Sequence, residues 1–517
     1  MNRLLVLVSI LLVSTVVSFS QINNTLYFMH ELPQAHAVNP AQVPNCKFFL
    51  GGLLVPVVGQ LPPPVTFAVN LPLDYNDVLF KGRWEYKDSI ITPLHPNANL
   101  EEFLNKLKKV NYTTMNFNLN LLYVGFKQGE KNFWSFDITE KAFFHFGIPK
   151  ALITFPILGN GEVREASFSG FHMNMFYYRQ FAIGFKRDIT RYFHVGGKIK
   201  FLTGIANVYT SSANLTLHTE DKTNILTSSS NYVINTNAPI DITLNDDGFV
   251  DNVDFIDFGS SSTADIIKDY ALFTGNRGIA IDAGFSKEWN SELTYFANIE
   301  DFGYITWNTN AHNFSLIGDE SNSGGFRFEG VEMQDLNFSD LELLALDSLL
   351  GSFDFEYTEK AYKTWLPWKI YAGAQYKFTK KFHIGAVGRL EKLPYRLRPS
   401  LTGTANFNPG KISHFTLSYS IINGNYNNLG FGYALHLGQF QWFMVTDNLL
   451  GIGLFPENSR SASIQMGANF VLGYKGENSK QPRNMPLFNQ TPSKNKKSML
   501  GSFGKERKDK AVNAPQN

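Results

Sequence analysis

Residues 116–126 constrain the fold of this chain more than any other stretch. Phe117, Leu119, Leu121 and Tyr123 recur at every second position, with Asn116, Asn118 and Asn120 between them. A strand that alternates in this way has one apolar and one polar face. Similar runs recur at 132–146, 175–188, 191–210, 277–290, 292–307, 366–379, 382–393, 412–422, 426–437, 439–446 and 461–474. Many are longer than ordinary globular strands and match the roughly 9–11 residues a tilted strand needs to cross a bilayer. Short polar turns such as 127–131, 188–191 and 378–381 join several of them, as on the periplasmic side of an outer-membrane barrel. Residues 211–276 and 308–364 interrupt the pattern with Ser-, Thr-, Asn- and Asp-rich sequence, which suits long loops on the opposite side.

Composition narrows the alternatives. Aromatic residues make up 15% of the chain, with 46 Phe and 22 Tyr, and a lipid-facing wall with aromatic girdles accommodates such an excess. Mean hydropathy is only −0.16, and no run of 18 apolar residues follows residue 20, so a helical membrane protein is excluded. The net charge of +1 gives no overall field for nucleic acid. The single cysteine, Cys46, cannot form an intramolecular disulfide and reads as a plain residue before a strand.

The N-terminus has three parts: Arg3, an apolar run 4–17, and small residues Ser18 and Ser20 at the −3 and −1 positions before Gln21. This is the pattern of a cleaved secretory signal peptide over residues 1–20. Two short helices are expected besides the strands. One spans 99–109, with Leu100, Phe103, Leu104 and Leu107 on one face and Asn99 and Glu102 as a capping pair. The other spans about 340–350 and is closed by Gly351. Residues 475–517 carry ten Lys/Arg against three Asp/Glu and four Pro, and read as a disordered basic tail. Lys494, Lys496, Lys497, Lys505, Arg507 and Lys508 would be its partner-binding cations.

Catalytic patterns are missing. The sequence holds no HExxH, Walker loop, CxxC or GxSxG, so an enzyme is not expected and no cofactor is implied. Asn245, Asp247 and Asp254 have calcium-loop spacing around Gly248, but Thr243 stands where the first carboxylate belongs. They form a weak metal candidate.

Residues 26–34 (LYFMHELPQ), 38–41 (VNPA) and 46–48 (CKF) resemble the mature N-terminus of a Bacteroidota outer-membrane barrel family of unknown function. Residues 196–207 (GGKIKFLTGIAN), 299–307 (IEDFGYITW), 326–331 (FRFEGV) and 465–473 (QMGANFVLG) resemble it as well. The turn Asn39, Pro40, Ala41 is also similar to the N-terminal hatch of FadL-like channels and of barrels associated with type IX secretion. The resemblance implies a hatch within the barrel.

The chain is therefore expected to be all-β: a single antiparallel transmembrane barrel of about 14 strands with an N-terminal plug and short accessory helices. Expected boundaries are 1–20 signal peptide, 21–110 hatch and first strands, 111–474 barrel, and 475–517 periplasmic tail. Two functions fit. The first is a FadL-like channel or binder for a hydrophobic or small solute in the Gram-negative outer membrane. The second is a non-transporting docking barrel of a secretion, gliding or envelope complex. Expected partners are outer-membrane lipid, the barrel assembly machinery and, through the tail, a periplasmic or envelope protein.

Overall fold

A computed structural model describes residues 23–54, 62–81, 90–92, 95, 98–219, 226–238, 240–244, 250–255, 275–318, 354–422, 425–451 and 459–475. The signal peptide expected at 1–20, the helix expected at 340–350, and the tail beyond 475 lie outside these residues.

The wall is a closed antiparallel barrel of 14 strands. Its first strand is split into Phe48–Gly51 and Val65–Asn70, and both halves pair with Val110–Gln128 on one side and Ser461–Leu472 on the other. First strand thus meets last, and no long edge is left open. Between them run Asn132–Pro149, His172–Asp188, Phe193–Thr219, Arg277–Glu288, Leu293–Trp307, Lys369–Lys377, Phe382–Leu393, Arg396–Phe407, Ser413–Ile422, Asn425–Leu437 and Phe440–Thr446. One end of the barrel has only short connections, such as 129–131, 189–192, 378–381 and 438–439. The other carries the long ones, together with a tight turn at 394–395.

Three findings differ from the sequence reading. Arg396–Phe407 is a full wall strand that the periodicity does not reveal, because Pro399 and two arginines interrupt its apolar pattern. Part of 211–276 is sheet rather than loop. Phe193–Thr219 outruns the wall, and its far half pairs with Leu226–Asn237, which pairs in turn with Ala311–Gly318. Polar sequence is compatible with strand here because these strands stand beyond the barrel. Lastly, the faces assigned to 116–126 exchange partway. The register with Asn132–Pro149 shifts between Asn120 and Leu122. Before this bulge Phe117 is exposed on the outside, whereas beyond it Tyr123 is fully buried inside. One extra residue in an alternating strand moves every later side chain to the other face. The interruption of the first strand sits beside the bulge. It is tied back by Leu53 and Leu54 donating to the carbonyls of Asn120 and Leu121, and by Pro62 and Pro64 accepting from Ala468 and Asn120.

The exterior is apolar all round. Ile183, Ile199, Phe201, Ile281, Ile384, Leu401 and Leu417 are among its exposed large side chains. Phe126, Trp289, Phe378, Phe407 and Phe440 gather toward the short-turn end, and Trp365 and Tyr426 toward the loop end. An apolar belt between two aromatic girdles is the surface a bilayer requires. No described helix is long and apolar enough to cross a membrane. The capped helix forms as Leu100–Lys106. Asn99 accepts from the Glu102 amide at 3.2 Å, and Leu104 and Leu107 are buried. A helix over Lys150–Glu162 was not foreseen; its apolar residues are nearly continuous and show no single-faced period.

Candidate functional site

The inside of a barrel this size must be filled or wet. Here the chain's own N-terminal segment enters it. Proline at the first helical turn starts a short helix at Pro33–Val38, and a single 3-10 turn precedes it at Leu26–Phe28. Nearly every side chain from Asn24 to Gln42 is buried.

Its contacts run round the inside of the wall. The Thr25 amide donates to Asp447 at 2.7 Å, and its hydroxyl pairs with Ser418 at 2.7 Å. Tyr27 donates to Asn298 at 2.6 Å and accepts from Asn39 at 2.9 Å. Gln34 and Asn469 exchange amide hydrogen bonds at 2.9 and 3.0 Å. Tyr123 donates to the Pro33 carbonyl at 2.9 Å, and Gln441 to that of Glu31 at 3.0 Å. These partners lie on opposite sides of a closed ring, so the segment is within it. Leu26, Tyr27, Phe28, Met29, Leu32 and Val38 form one apolar cluster with Phe296, Tyr371, Val387, Ala434, Phe443 and Val445 of the wall. Wall glycines allow this approach. A methyl at Gly385 would strike the Phe28 ring, one at Gly196 the Pro40 carbonyl, and one at Gly284 would lie 2.6 Å from Asn39 Oδ1.

The sequence motif Asn39, Pro40, Ala41 is the exit from this segment. Asn39 Oδ1 accepts from the Ala41 amide at 3.0 Å, which turns the chain at the proline. His36 is buried, and burial, then the nearby Lys198, holds its pKa well below the usual imidazole range. The neutral ring spans Ser135 at 3.0 Å and the Gln42 carbonyl at 3.1 Å. With Nδ1 donating to the carbonyl, Nε2 is left to accept from the serine hydroxyl. Cys46 is buried beside Phe49, Tyr123, Phe133 and Val471, and burial pushes its thiol up to about 12. That makes it an inert packing residue.

Toward the loop end the lumen changes character. Six cations (Lys141, Lys198, Lys200, Lys369, Arg389, Arg398) are joined by ion pairs to five carboxylates (Asp137, Asp282, Glu300, Asp301, Glu391). Lys200 is tightest, at 2.6 Å from both Asp282 and Asp301. Arg389 and Arg398 share one oxygen of Glu391. Two cavities of about 60 and 70 Å³ lie among these groups, and Asn23, Asn118, Lys141 and Glu300 border both. Beyond them a second apolar cluster, including Phe143, Phe176, Trp307, Leu366 and Leu393, lies toward the loop end. A larger cavity of about 200 Å³ opens at the short-turn end, bordered by His30, Glu31, Lys127, Asp188, His194 and Glu288.

No role was expected for the charge layer from sequence, although the resembling segments 196–207 and 299–307 hold four of its members, Lys198, Lys200, Glu300 and Asp301. Its signal was present as paired charges at i and i+2 inside apolar strands: Lys198 and Lys200, Arg389 and Glu391, Arg396 and Arg398. Of the calcium-loop candidates, Asn245 and Asp247 lie outside the described residues. Asp254 is on a short strand, Val250–Phe255, opposite Asp241 in a two-stranded sheet. Among the described residues no group of three or more His, Cys, Asp or Glu is placed to hold a metal. Lys494, Lys496, Lys497, Lys505, Arg507 and Lys508 are outside the described residues.

A closed antiparallel barrel with an apolar exterior, a charged interior and the segment 24–42 packed inside is a barrel of outer-membrane type. The chain belongs to the family of unknown function DUF5723, whose sequence profile matches residues 40–447. No curated protein matches the sequence. Among solved structures, a deltaS2S3 mutant of the monoaromatic hydrocarbon channel TodX overlaps at TM-score 0.39 with 8% identity, over 89% of this chain and 96% of that one. The toluene transporter TodX of Pseudomonas putida overlaps at TM-score 0.32 with 8% identity, over 88% and 93%. The translocator domain of the autotransporter NalP from Neisseria meningitidis overlaps at 0.30 with 7% identity, over 87% and 96%. Overlaps this loose leave the activities of those proteins their own.

Proposed function

We propose that this chain is an outer-membrane barrel that binds or passes a small polar solute, with residues 23–45 acting as its plug. The observation that carries the reading is the pairing of an apolar exterior with a lumen whose inner cavities are lined by ionised and amide side chains. Of the hydrophobic and small solutes expected from the sequence, such a lining favours the small polar kind, because an apolar molecule there would leave buried charges without partners. Passage requires the plug to shift. The cavity at the short-turn end and the paired cavities of the charge layer are separate spaces along one lumen, and the segment lies among them. Export by a cleaved leader and the Bacteroidota origin implied by the resemblance belong to the same reading.

One observation favours the docking alternative. The apolar cluster around Tyr27 is as well buried as a globular core, and a plug held so firmly suits a barrel that never opens. Planar-bilayer recordings separate the two. The solute-passing barrel is expected to be closed or to flicker as the full chain and to conduct steadily without residues 23–45. A folded deletion variant that stays silent removes the channel reading. Loss of a co-purifying envelope protein on deletion of 476–517 would then support docking through the basic tail.

A further inference from the structure

We infer that the middle of the lumen holds a binding site for a small oxyanion, a carboxylate or a phosphate group, anchored by Arg398. This deepens the solute reading above, and depends on that reading only for passage; binding stands by itself.

Charge is the first argument. Among the described residues the ion pairs of the layer join six cations to five carboxylates; a sixth buried carboxylate, Asp447, lies near Arg389, and Arg396 as the seventh cation keeps an excess of one positive charge. The excess is local. Glu391 Oε2 takes hydrogen bonds from both Arg389 and Arg398, so a single carboxylate serves two buried guanidinium groups. Arg396 lies two residues along the same strand as Arg398, 4.1 Å over the Tyr112 ring.

Geometry is the second argument. Arg398 commits Nε and Nη2 to Glu391, while its buried Nη1 has no partner among the described residues. Arg398 is 3% exposed and borders the cavity of about 60 Å³. Arg396 Nε is likewise buried without a partner. An unmet guanidinium N–H in such a place is costly, so a ligand that accepts from it is favoured. Lys369 also borders the cavity, and its carboxylate partners are 3.4 and 3.5 Å away, long beside the 2.6 Å pairs of Lys200. Lys141, Asn116 and Asn118 supply further donors on the opposite wall.

Size and chemistry then select the ligand. With a water occupying about 30 Å³, the cavity takes roughly two waters or one group of carboxylate or phosphate size. Such a group would accept from Arg398 Nη1, cancel the excess charge and accept from the asparagine amides. A cation would add to the excess.

The test uses the full-length barrel in detergent micelles. Its thermal unfolding midpoint is followed by gel mobility in inorganic phosphate, acetate or chloride at matched ionic strength. A saturable rise with phosphate or acetate, absent with chloride, is expected, since binding to the folded state alone raises stability with ligand concentration. The oxyanion that saturates at lower concentration identifies the phosphate or carboxylate source. Arg398→Gln is expected to weaken the apparent affinity at least tenfold. Should that variant not fold, Lys369→Gln on the other side of the cavity carries the test, with a smaller loss of threefold or more. Three indistinguishable anions in the native chain, or an unchanged response in a folded variant, overturns the inference. Saturable binding without conductance from any variant would keep the site and remove passage; conductance without anion-specific binding would do the reverse.

Discussion

Tyr27 ties the N-terminal segment to the wall by both its ring and its hydroxyl, and its replacement separates packing from hydrogen bonding. The ring is fully buried, 4.9 Å from that of Phe296 and 5.2 Å from that of Tyr371. Its hydroxyl links Asn298 of the wall to Asn39 of the plug. Tyr27→Phe keeps the ring and leaves a buried amide oxygen and a buried amide N–H without a partner, a cost of about 1–3 kcal/mol. Tyr27→Ala removes the ring as well. Truncating a buried aromatic costs about 3–5 kcal/mol, so this variant should lose about 5 kcal/mol or more in all. The measurement is the urea dependence of refolding into detergent micelles, read from the mobility of folded and unfolded barrel on unheated gels. The midpoint should move modestly for the phenylalanine variant and much further for the alanine variant. If both stay within about 0.5 kcal/mol of the native chain, as surface substitutions do, the plug is not packed as described.

The buried neutral His36 makes stability depend on pH. Its folded pKa lies below its ordinary value near 6.5, so the unfolded chain binds the proton more readily. The contribution is fully present above pH 6.5 and is lost as pH falls below it, at up to about 1.4 kcal/mol per unit. His36→Gln should flatten that part of the curve between pH 7 and 5 in the same urea assay. Gly196→Ala should be strongly destabilising, by about 1–3 kcal/mol or more, because the added methyl meets the rigid Pro40 carbonyl; Gly403→Ala, with open space around it, should be near neutral. Ile199→Lys places a charge on the outer face at a position 51% exposed, and should cost about 2–4 kcal/mol in lipid vesicles. A neutral or stabilising effect there would mean that this face meets water.

Much of the architecture was legible because a barrel wall repeats one constraint. Alternation and turn spacing located most wall strands, and the strand number follows from how many such runs fit the chain. Legibility failed where a side chain obeys the lumen instead of the lipid. Arg396–Phe407 was missed because Arg396 and Arg398 face the lumen, against the Tyr112 ring and Glu391, while Pro399 sits at an exposed outward position. The faces beyond Leu121 were reversed because a bulge leaves no mark in composition. The turn at Asn39, Pro40 and Ala41 was visible, yet not its seat against Gly196 and Gly284, which follow it by more than 150 residues. The charge layer is assembled from strands far apart in sequence, so the segments 196–207 and 299–307 show Lys198, Lys200, Glu300 and Asp301 but not that they meet.

The central claim, that the N-terminal segment lies within the barrel, is tested most directly by cross-linking. Thr25 and Ser418 are 393 residues apart, yet their hydroxyl oxygens are 2.7 Å apart, a separation that puts two cysteine side chains within bonding reach. Thr25→Cys with Ser418→Cys, in a Cys46→Ser background, should form a disulfide in the folded barrel and change its mobility on non-reducing gels. Thr25→Cys with Leu417→Cys, whose second site faces outward and is 48% exposed, should not. A bond in the first pair alone is the predicted result; a folded barrel in which neither pair bonds, or both bond equally, would contradict it.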